Sequence, residues 1–321
     1  MKGEAVSQDA VRWAYRLFLG REPESTHVVE GTINGCTDVA ALRRAFIGSA
    51  EFAQHLPPRG TGLGGMEPVR VVESSGPSEL LAQLFEHVNR SWQFLGETDP
   101  YWSVLTSPEF RGTPSSSDID RFFSSGKAAV EGLQKALDRC GLSLKGRRTC
   151  VEYGCGLGRI TRSLAPHFER TVGVDISAAH LALARKLAEQ AGIAGIEWLQ
   201  LPTIDSLELL PEADLIYSVI VLQHNPPPVI ERILTRFARI LRPGGVAFFQ
   251  VPTYRADYEF RLQDYMRDQV GRKEMEMHVY PQERIFNIFA EHGVHPVSVI
   301  EDGATGFRSG ERSNTFIFEK R

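Results

Sequence analysis

The chain has 321 residues, 36 lysines and arginines against 40 aspartates and glutamates, a net charge of -4, and 42% hydrophobic and 24% charged residues. That is the balance of an ordinary soluble protein of about two domains, and it excludes a single small module. No acidic tail or basic stripe marks a nucleic-acid partner, no apolar run approaches the ~20 residues of a membrane span, and the opening MKGEAVSQDA has no secretory h-region. The expected location is the cytoplasm.

In chain order, Val11, Ala14, Tyr15 and Phe18 fall on one helical face, as do Val39, Leu42, Ala45 and Phe46, so residues 1–56 read as a small domain of two or three short helices. Residues 57–68, PPRGTGLGGMEP, hold four glycines and three prolines in twelve positions and read as a linker. Helical spacing returns over 69–147, with Leu80, Leu81, Leu84, Phe85 and Val88 and a later helix around Ala128–Leu137. Between them the aromatic stretch 92–123, broken by Pro100, Pro108 and Pro114, reads as a lid over a pocket or as packed irregular core. From 148 onward, β-rich runs at 149–153, 171–175, 196–201, 215–219 and 246–251 alternate with helical spacing such as Ile230, Ile233, Leu234 and Phe237. Near-continuous apolar strands between helices mean a parallel sheet covered on both faces. Val297–Ile300 and Thr315–Phe318 follow with no helix between them. The expected domain 148–321 is therefore α/β, a seven-stranded, mostly parallel sheet with an antiparallel last strand, joined to an α-helical N-terminal region.

The densest chemical signal is Glu152-Tyr153-Gly154-Cys155-Gly156-Leu157-Gly158-Arg159, at the end of the first strand. Glycines there let backbone approach a ligand without Cβ interference. A nicotinamide fingerprint needs its third glycine at 159, which is arginine, so that cofactor is disfavoured. Seventeen residues after Gly158, the second strand ends in Asp175, placed to accept hydrogen bonds from ribose hydroxyls. Cys155 lies in the loop but reads as part of a cofactor cradle, not as a nucleophile. Cys36, Cys140 and Cys150 show neither CxxC nor zinc spacing, so no metal site is expected.

The acid-x-G-x-G-x-G loop, Asp175, Asp214-Leu215-Ile216-Tyr217-Ser218 at the fourth strand and Leu241-Arg242-Pro243-Gly244-Gly245 before the fifth resemble, in that order, the class I S-adenosylmethionine-dependent methyltransferases. The resemblance implies a Rossmann-like sheet and S-adenosylmethionine as cofactor. It implies that Glu152, Gly154, Cys155 and Gly156 border the methionine half of the cofactor, that Asp175 holds the ribose and that Ile176 meets adenine. Ser218 at the end of the fourth strand is placed among the cofactor contacts. The acid often found after strand three is absent, which leaves adenine recognition among Gln200, backbone at Leu201 and Asp205.

Asn225 and Pro226 read as N-cap and first residue of a helix, with His224 just before them at the carboxyl edge of the sheet. With an ordinary pKa of ~6.5, His224 is the candidate general base for a hydroxyl acceptor, a local cap or packing role being the alternative. His278 and Tyr280, in a segment 274–280, are weaker candidates for a substrate wall, and Tyr101 and Trp102 for a cover over the cofactor. The charge run 267–276 reads as a solvated helix face.

The N-terminal stretch Tyr15-Arg16-Leu17-Phe18-Leu19-Gly20-Arg21-Glu22-Pro23 with Phe46-Ile47-Gly48-Ser49-Ala50-Glu51-Phe52 resembles a small helical domain of unknown function joined to glycan-modifying proteins. Asn34, Ser49 and Glu51 suggest capping and solvation only. The expected activity is methylation of a sugar or glycan hydroxyl by in-line transfer. The alternatives are an N- or carboxyl-methylated peptide or natural product, metal-assisted activation of a hydroxyl, although no residues indicate a divalent ion, and a non-catalytic cofactor-binding scaffold. The expected partner is a saccharide or other small molecule, with neither nucleic acid nor membrane. A homo-oligomer built through the N-terminal helices is compatible with this reading.

Overall fold

Five-residue apolar runs need a sheet buried on both faces, and the computed structural model, which describes residues 5–55, 67–272, 275–304 and 310–321, supplies one. Its strands are β1 (Thr149–Tyr153), β2 (Arg170–Asp175), β3 (Ile196–Gln200), β4 (Ala213–Ser218), β5 (Leu241–Arg255), β6 (Val294–Asp302) and β7 (Glu311–Lys320). They lie in the order β3-β2-β1-β4-β5-β7-β6, with β1 to β5 parallel and β7 antiparallel between β5 and β6. β5 is longer than the 246–251 run and takes in the Leu241-Arg242-Pro243-Gly244-Gly245 motif.

The helices are α1 (Gln8–Ala14), α2 (Thr26–Gly35), α3 (Val39–Ile47), α4 (Ala50–His55), α5 (Ser78–Thr98), α6 (Pro100–Val104), α7 (Ser116–Arg139), α8 (Thr161–Leu164), α9 (Ala178–Gln190), α10 (Pro227–Ile240), α11 (Leu262–Asp268) and α12 (Gln282–Ala290). No described helix is long and apolar enough to cross a membrane. The chain divides into two compact units, Met1–Gly62 and Leu63–Arg321. The expected linker 57–68 lies almost wholly outside the described residues.

In the first unit, Ser7, Ser25 and Asp38 cap α1, α2 and α3 through side-chain oxygens that accept backbone N–H groups. A π-helical turn, Tyr15–Leu19, continues α1 and ends at Gly20 in the left-handed region. Val11, Ala14, Tyr15, Leu19, Val29, Leu42 and Phe46 form the core. Val39 and Ala45 face outward instead, because Leu42 and Phe46 alone span the buried face of α3. Ser49 caps Phe52, and Glu51 pairs with Arg21 at 2.8 Å.

In the second unit the period of two along each strand separates two cores. Val151, Tyr153, Val172, Val174, Ile216, Ala247 and Phe249 share one with Leu84 and Phe85 of α5, Val229, Ile233 and Phe237 of α10, and Ile285 and Phe289 of α12. Cys150, Leu215, Tyr217, Val246 and Phe248 share the other with Val130, Leu133 and Leu137 of α7. Within residues 69–147, expected as a helical lid or cap region, α5 and α7 cover the two faces of the sheet.

One crossing carries fold information into the loop after β1. Gly126 of α7 lies so close to that loop that a Cβ there would overlap the carbonyl of Arg159, whereas Gly132, two turns on and exposed, has open space around it. Gly132→Ala should therefore raise stability by roughly 0.5–1 kcal/mol through helix propensity. Gly126→Ala should lower it by about 1–3 kcal/mol through overpacking. Thermal unfolding of the two variants checks the pair, and equal effects would contradict the crossing.

Candidate active site

The glycine loop is shaped by its own neighbours. Gly154, Gly156 and Gly158 have φ of 77°, 53° and 74°, a region that side chains with a Cβ disfavour. A Cβ on Gly154 would overlap Val221, one on Gly158 would overlap Trp198, and one on Gly156 would sit 2.6 Å from Val104. The backbone here is therefore demanded by packing within the protein as well as by any ligand. The N–H groups of Gly154 and Cys155 both donate to Val174 O at 2.8 and 2.9 Å. Gly156 N–H donates to Asp175 Oδ2 at 2.8 Å and Ser177 N–H to Oδ1 at 2.9 Å.

These elements open into a cavity of about 300 Å³ at the carboxyl ends of β1, β2 and β4, where doubly wound sheets place ligands. Glu152, Gly154, Cys155, Gly156, Asp175, Ile176 and His224 all line it. Leu201 and Ser218 do not. Leu201 is buried and gives its N–H to Asp175 O, while Ser218 spends its hydroxyl on Tyr153 O at 3.0 Å, tying β4 to β1. Gln200 and Asp205 are exposed and also lie off the cavity.

Glu152 is 4% exposed, and burial pushes its carboxyl up to about 8, against the opposing pull of the Thr161 hydroxyl and the Arg159 charge. Arg159 lines the cavity with its Nε buried and without a partner. Burial also pushes the thiols of Cys150 and Cys155 well up, which leaves both inert.

His224 closes a 3₁₀ turn, Leu222–His224. The following helix starts at Pro227 with Pro226 as its cap residue, one place later than the sequence suggests. Asn225 lies one residue before the cap, and its side-chain NH2 donates back to the Val221 carbonyl at 3.0 Å. The Nδ1 of His224 lies 2.7 Å from Glu276 O; a carbonyl only accepts, so Nδ1 carries the proton, and Nε2, unprotonated, lies 3.5 Å from the Gln223 amide nitrogen. Burial pushes this imidazole down to about 4, with the carbonyl bond opposing and nearby His278 assisting. His224 is a neutral acceptor near pH 7, with titration well below the ~6.5 expected from sequence.

Glu276 overturns the reading of 267–276 as a solvated face. Arg267 is exposed, but the carboxylate of Glu276 is half-buried and accepts from His87 Nε2 at 3.1 Å, His278 Nε2 at 2.8 Å and the Tyr265 hydroxyl. Although burial alone would raise it, these donors hold the carboxyl well below the usual range. They clamp the strap carrying Met275 and Met277, which line the cavity.

His278 and Tyr280 do not form a wall. His278 serves Glu276 and accepts from the Tyr258 hydroxyl at 2.9 Å, and Tyr280 gives its hydroxyl to Glu231. Tyr101 packs on Phe122 and Trp102 under the Arg111 guanidinium, 4.1 Å from its ring centre. The cavity takes Ser103, Val104, Leu105 and Thr106 instead. Sequence reasoning also missed Trp92, whose ring lies 5.2 Å from that of His224, and His180, whose Nε2 meets the Ser103 hydroxyl at 2.8 Å. Among the described residues no group of three or more His, Cys, Asp or Glu could hold a metal ion.

Residues 150–245 match a family model described as a methyltransferase domain. The chain thus holds, over these residues, a region similar to a methyltransferase domain. The ubiquinone biosynthesis O-methyltransferase of Acinetobacter baylyi is 31% identical over 100 residues, covering 31% of this chain and 41% of that protein. The trans-aconitate 2-methyltransferase of Deinococcus radiodurans is 38% identical over 114 residues, 35% of this chain and 41% of that one. The match to this domain thus spans less than half the length of these curated relatives. A magnesium protoporphyrin IX methyltransferase from Synechocystis PCC 6803 with bound SAM shares the fold of the methyltransferase domain, with a TM-score of 0.50 and 16% identity over 74% of this chain and 97% of that one.

The His224 environment has a pH signature. A free imidazole titrates near 6.5, so as pH falls from 6.5 toward 4 the unfolded chain gains a proton that the folded one refuses. Stability from keeping His224 neutral is therefore full above about 6.5 and declines through that window. Imidazole ¹⁵N shifts should show Nε2 unprotonated from pH 8 down to about 5, and a midpoint near 6.5 would contradict the assignment.

Proposed function

We propose that the chain is an S-adenosylmethionine-dependent methyltransferase that transfers a methyl group to a hydroxyl oxygen of a small acceptor. The observation that carries this reading is the convergence of the glycine loop, Asp175 and His224 on one cavity of the methyltransferase domain. The residues fit the cofactor. Glu152, buried and reluctant to ionise alone, gains an ionic partner from an α-ammonium group, and Arg159 with its unpartnered Nε suits a carboxylate. Asp175 keeps lone pairs for ribose hydroxyls after its two backbone bonds, and Ile176 offers apolar surface to adenine. Leu201 and Ser218 have no place in this set.

The chemistry supplied by bound S-adenosylmethionine is an electrophilic methyl group. This chain's residues orient the acceptor and exclude water. His224, held by Glu276 O in one tautomer, presents Nε2 to accept a hydroxyl proton. Its low basicity means that the proton moves only as the oxygen loses electron density to the incoming methyl. The resemblance of the N-terminal unit supports a saccharide hydroxyl, by association alone, and the name of the ubiquinone biosynthesis O-methyltransferase supports oxygen as the acceptor atom. A nitrogen or carboxylate acceptor would make His224 dispensable for proton removal.

Calorimetry with S-adenosylhomocysteine and incorporation of labelled methyl into glycan and phenolic pools test this reading. Asp175→Ala should weaken cofactor binding by roughly 1–3 kcal/mol, through both the ribose and the released loop. His224→Ala should lower kcat by roughly 10²-fold or more with cofactor affinity unchanged. At saturating S-adenosylmethionine, kcat of the parent should be flat from pH about 5.5 to 8. Tight NAD binding without S-adenosylhomocysteine binding would end the reading.

A further inference from the structure

Among the described residues, Ile220 is the one non-glycine residue with positive φ, at 59°. A β-branched side chain in this region is a genuine outlier, and such outliers cluster where a site needs them. Its surroundings hold it there. Ile220 N–H donates at 2.9 Å to Gln250 Oε1, and Gln250, fully buried on β5, donates to Gln223 Oε1 at 3.1 Å and Ser313 Oγ at 2.7 Å. Val221 fills the space that a Cβ on Gly154 would need. A glycine at 220 would satisfy this backbone without strain. What isoleucine adds is its side chain, which is 41% exposed and lines the cavity.

Trp92, Met275 and Met277 line the same cavity, beside the polar Gln223, His224 and Asn225. We propose that Ile220 is a specificity-determining wall, held strained by Gln250 so that it presses the flat apolar face of a ring-bearing hydroxyl acceptor. A ring of this kind lays its face on the indole, thioether and isoleucine surfaces while its hydroxyl reaches the polar strip. The face can come from an aromatic ring or from the C–H face of a sugar. The inference rests on the methyltransferase reading given above.

The test uses the full chain with Ile220→Gly and Ile220→Ala. At an unstrained exposed position alanine is at least as stable as glycine, whereas at positive φ the order reverses. The glycine variant should melt about 3 °C or more above the alanine variant, and the opposite order overturns the strain. S-adenosylhomocysteine should bind parent and both variants within about threefold, because Ile220 lies on the acceptor side; loss of that affinity in the variants overturns the placement. Catechol and methyl β-glucoside are then titrated by saturation-transfer NMR onto protein loaded with S-adenosylhomocysteine. At least one should bind the parent and bind both variants at least about fivefold more weakly, and which one it is identifies the ring. Binding of neither probe to the loaded parent, or equal binding to parent and variants, overturns the wall. A parent that binds no S-adenosylhomocysteine overturns the methyltransferase reading, and this inference with it.

Discussion

The hydrogen bond from Gly156 N–H to the Asp175 carboxylate joins the end of β1 to the end of β2, and the cavity exists because both strand ends are held at that point. Ser177 N–H occupies the other oxygen, so the same side chain also holds the cap residue of α9, whose own hydroxyl accepts from His180 N–H. The loop between these anchors can adopt its left-handed turns because three of its residues lack a Cβ, and Val104, Trp198 and Val221 occupy the space thereby left. A loop packed so tightly is set before a ligand arrives, which spares binding the entropy of ordering it.

Around that anchor the charges are arranged by burial. Glu152 is pushed toward its neutral form and His224 toward its own, while Glu276 is held ionised by three donors. Glu152, which would be ionised in water, is thus uncharged inside the cavity, His224 stays neutral well below pH 6.5, and the carboxylate that stays charged, Glu276, holds the strap. Such a site answers to a ligand that brings its own positive charge to Glu152 and its own proton to Nε2 of His224.

Much of this was legible in the sequence where one short segment determines the result. β1, β2 and β4 are short, mostly apolar runs, and the acid at 175 ends the second of them, so the parallel strands and the candidate cradle residues were readable without tertiary information. Leu201 and Ser218 misled because a strand end has two sides. Ser218 turns its hydroxyl to Tyr153 O in the neighbouring strand, and Leu201 turns into the core. The helix after His224 begins late because a residue before proline avoids helical backbone, which keeps Asn225 and Pro226 extended, while Asn225 bonds backward. Trp92, His180 and Met277 come from α5, α9 and the strap, and nothing local distinguishes them from helix faces or linkers. Glu276 looked solvated because its partners, His87, Tyr265 and His278, are brought together only by the folded chain.

The central claim is that the buried carboxyl of Glu152 receives the cofactor's ammonium group, and proton counting tests it most directly. Titration calorimetry of the full chain with S-adenosylhomocysteine at pH 6.5, where the ligand's α-amino group is already protonated, is run in buffers of different ionisation enthalpy. The account predicts saturable binding with release of close to one proton, because Glu152 ionises as the ammonium arrives, and loss of that release in Glu152→Gln. Absence of binding, or binding with no proton released by the parent, would contradict it.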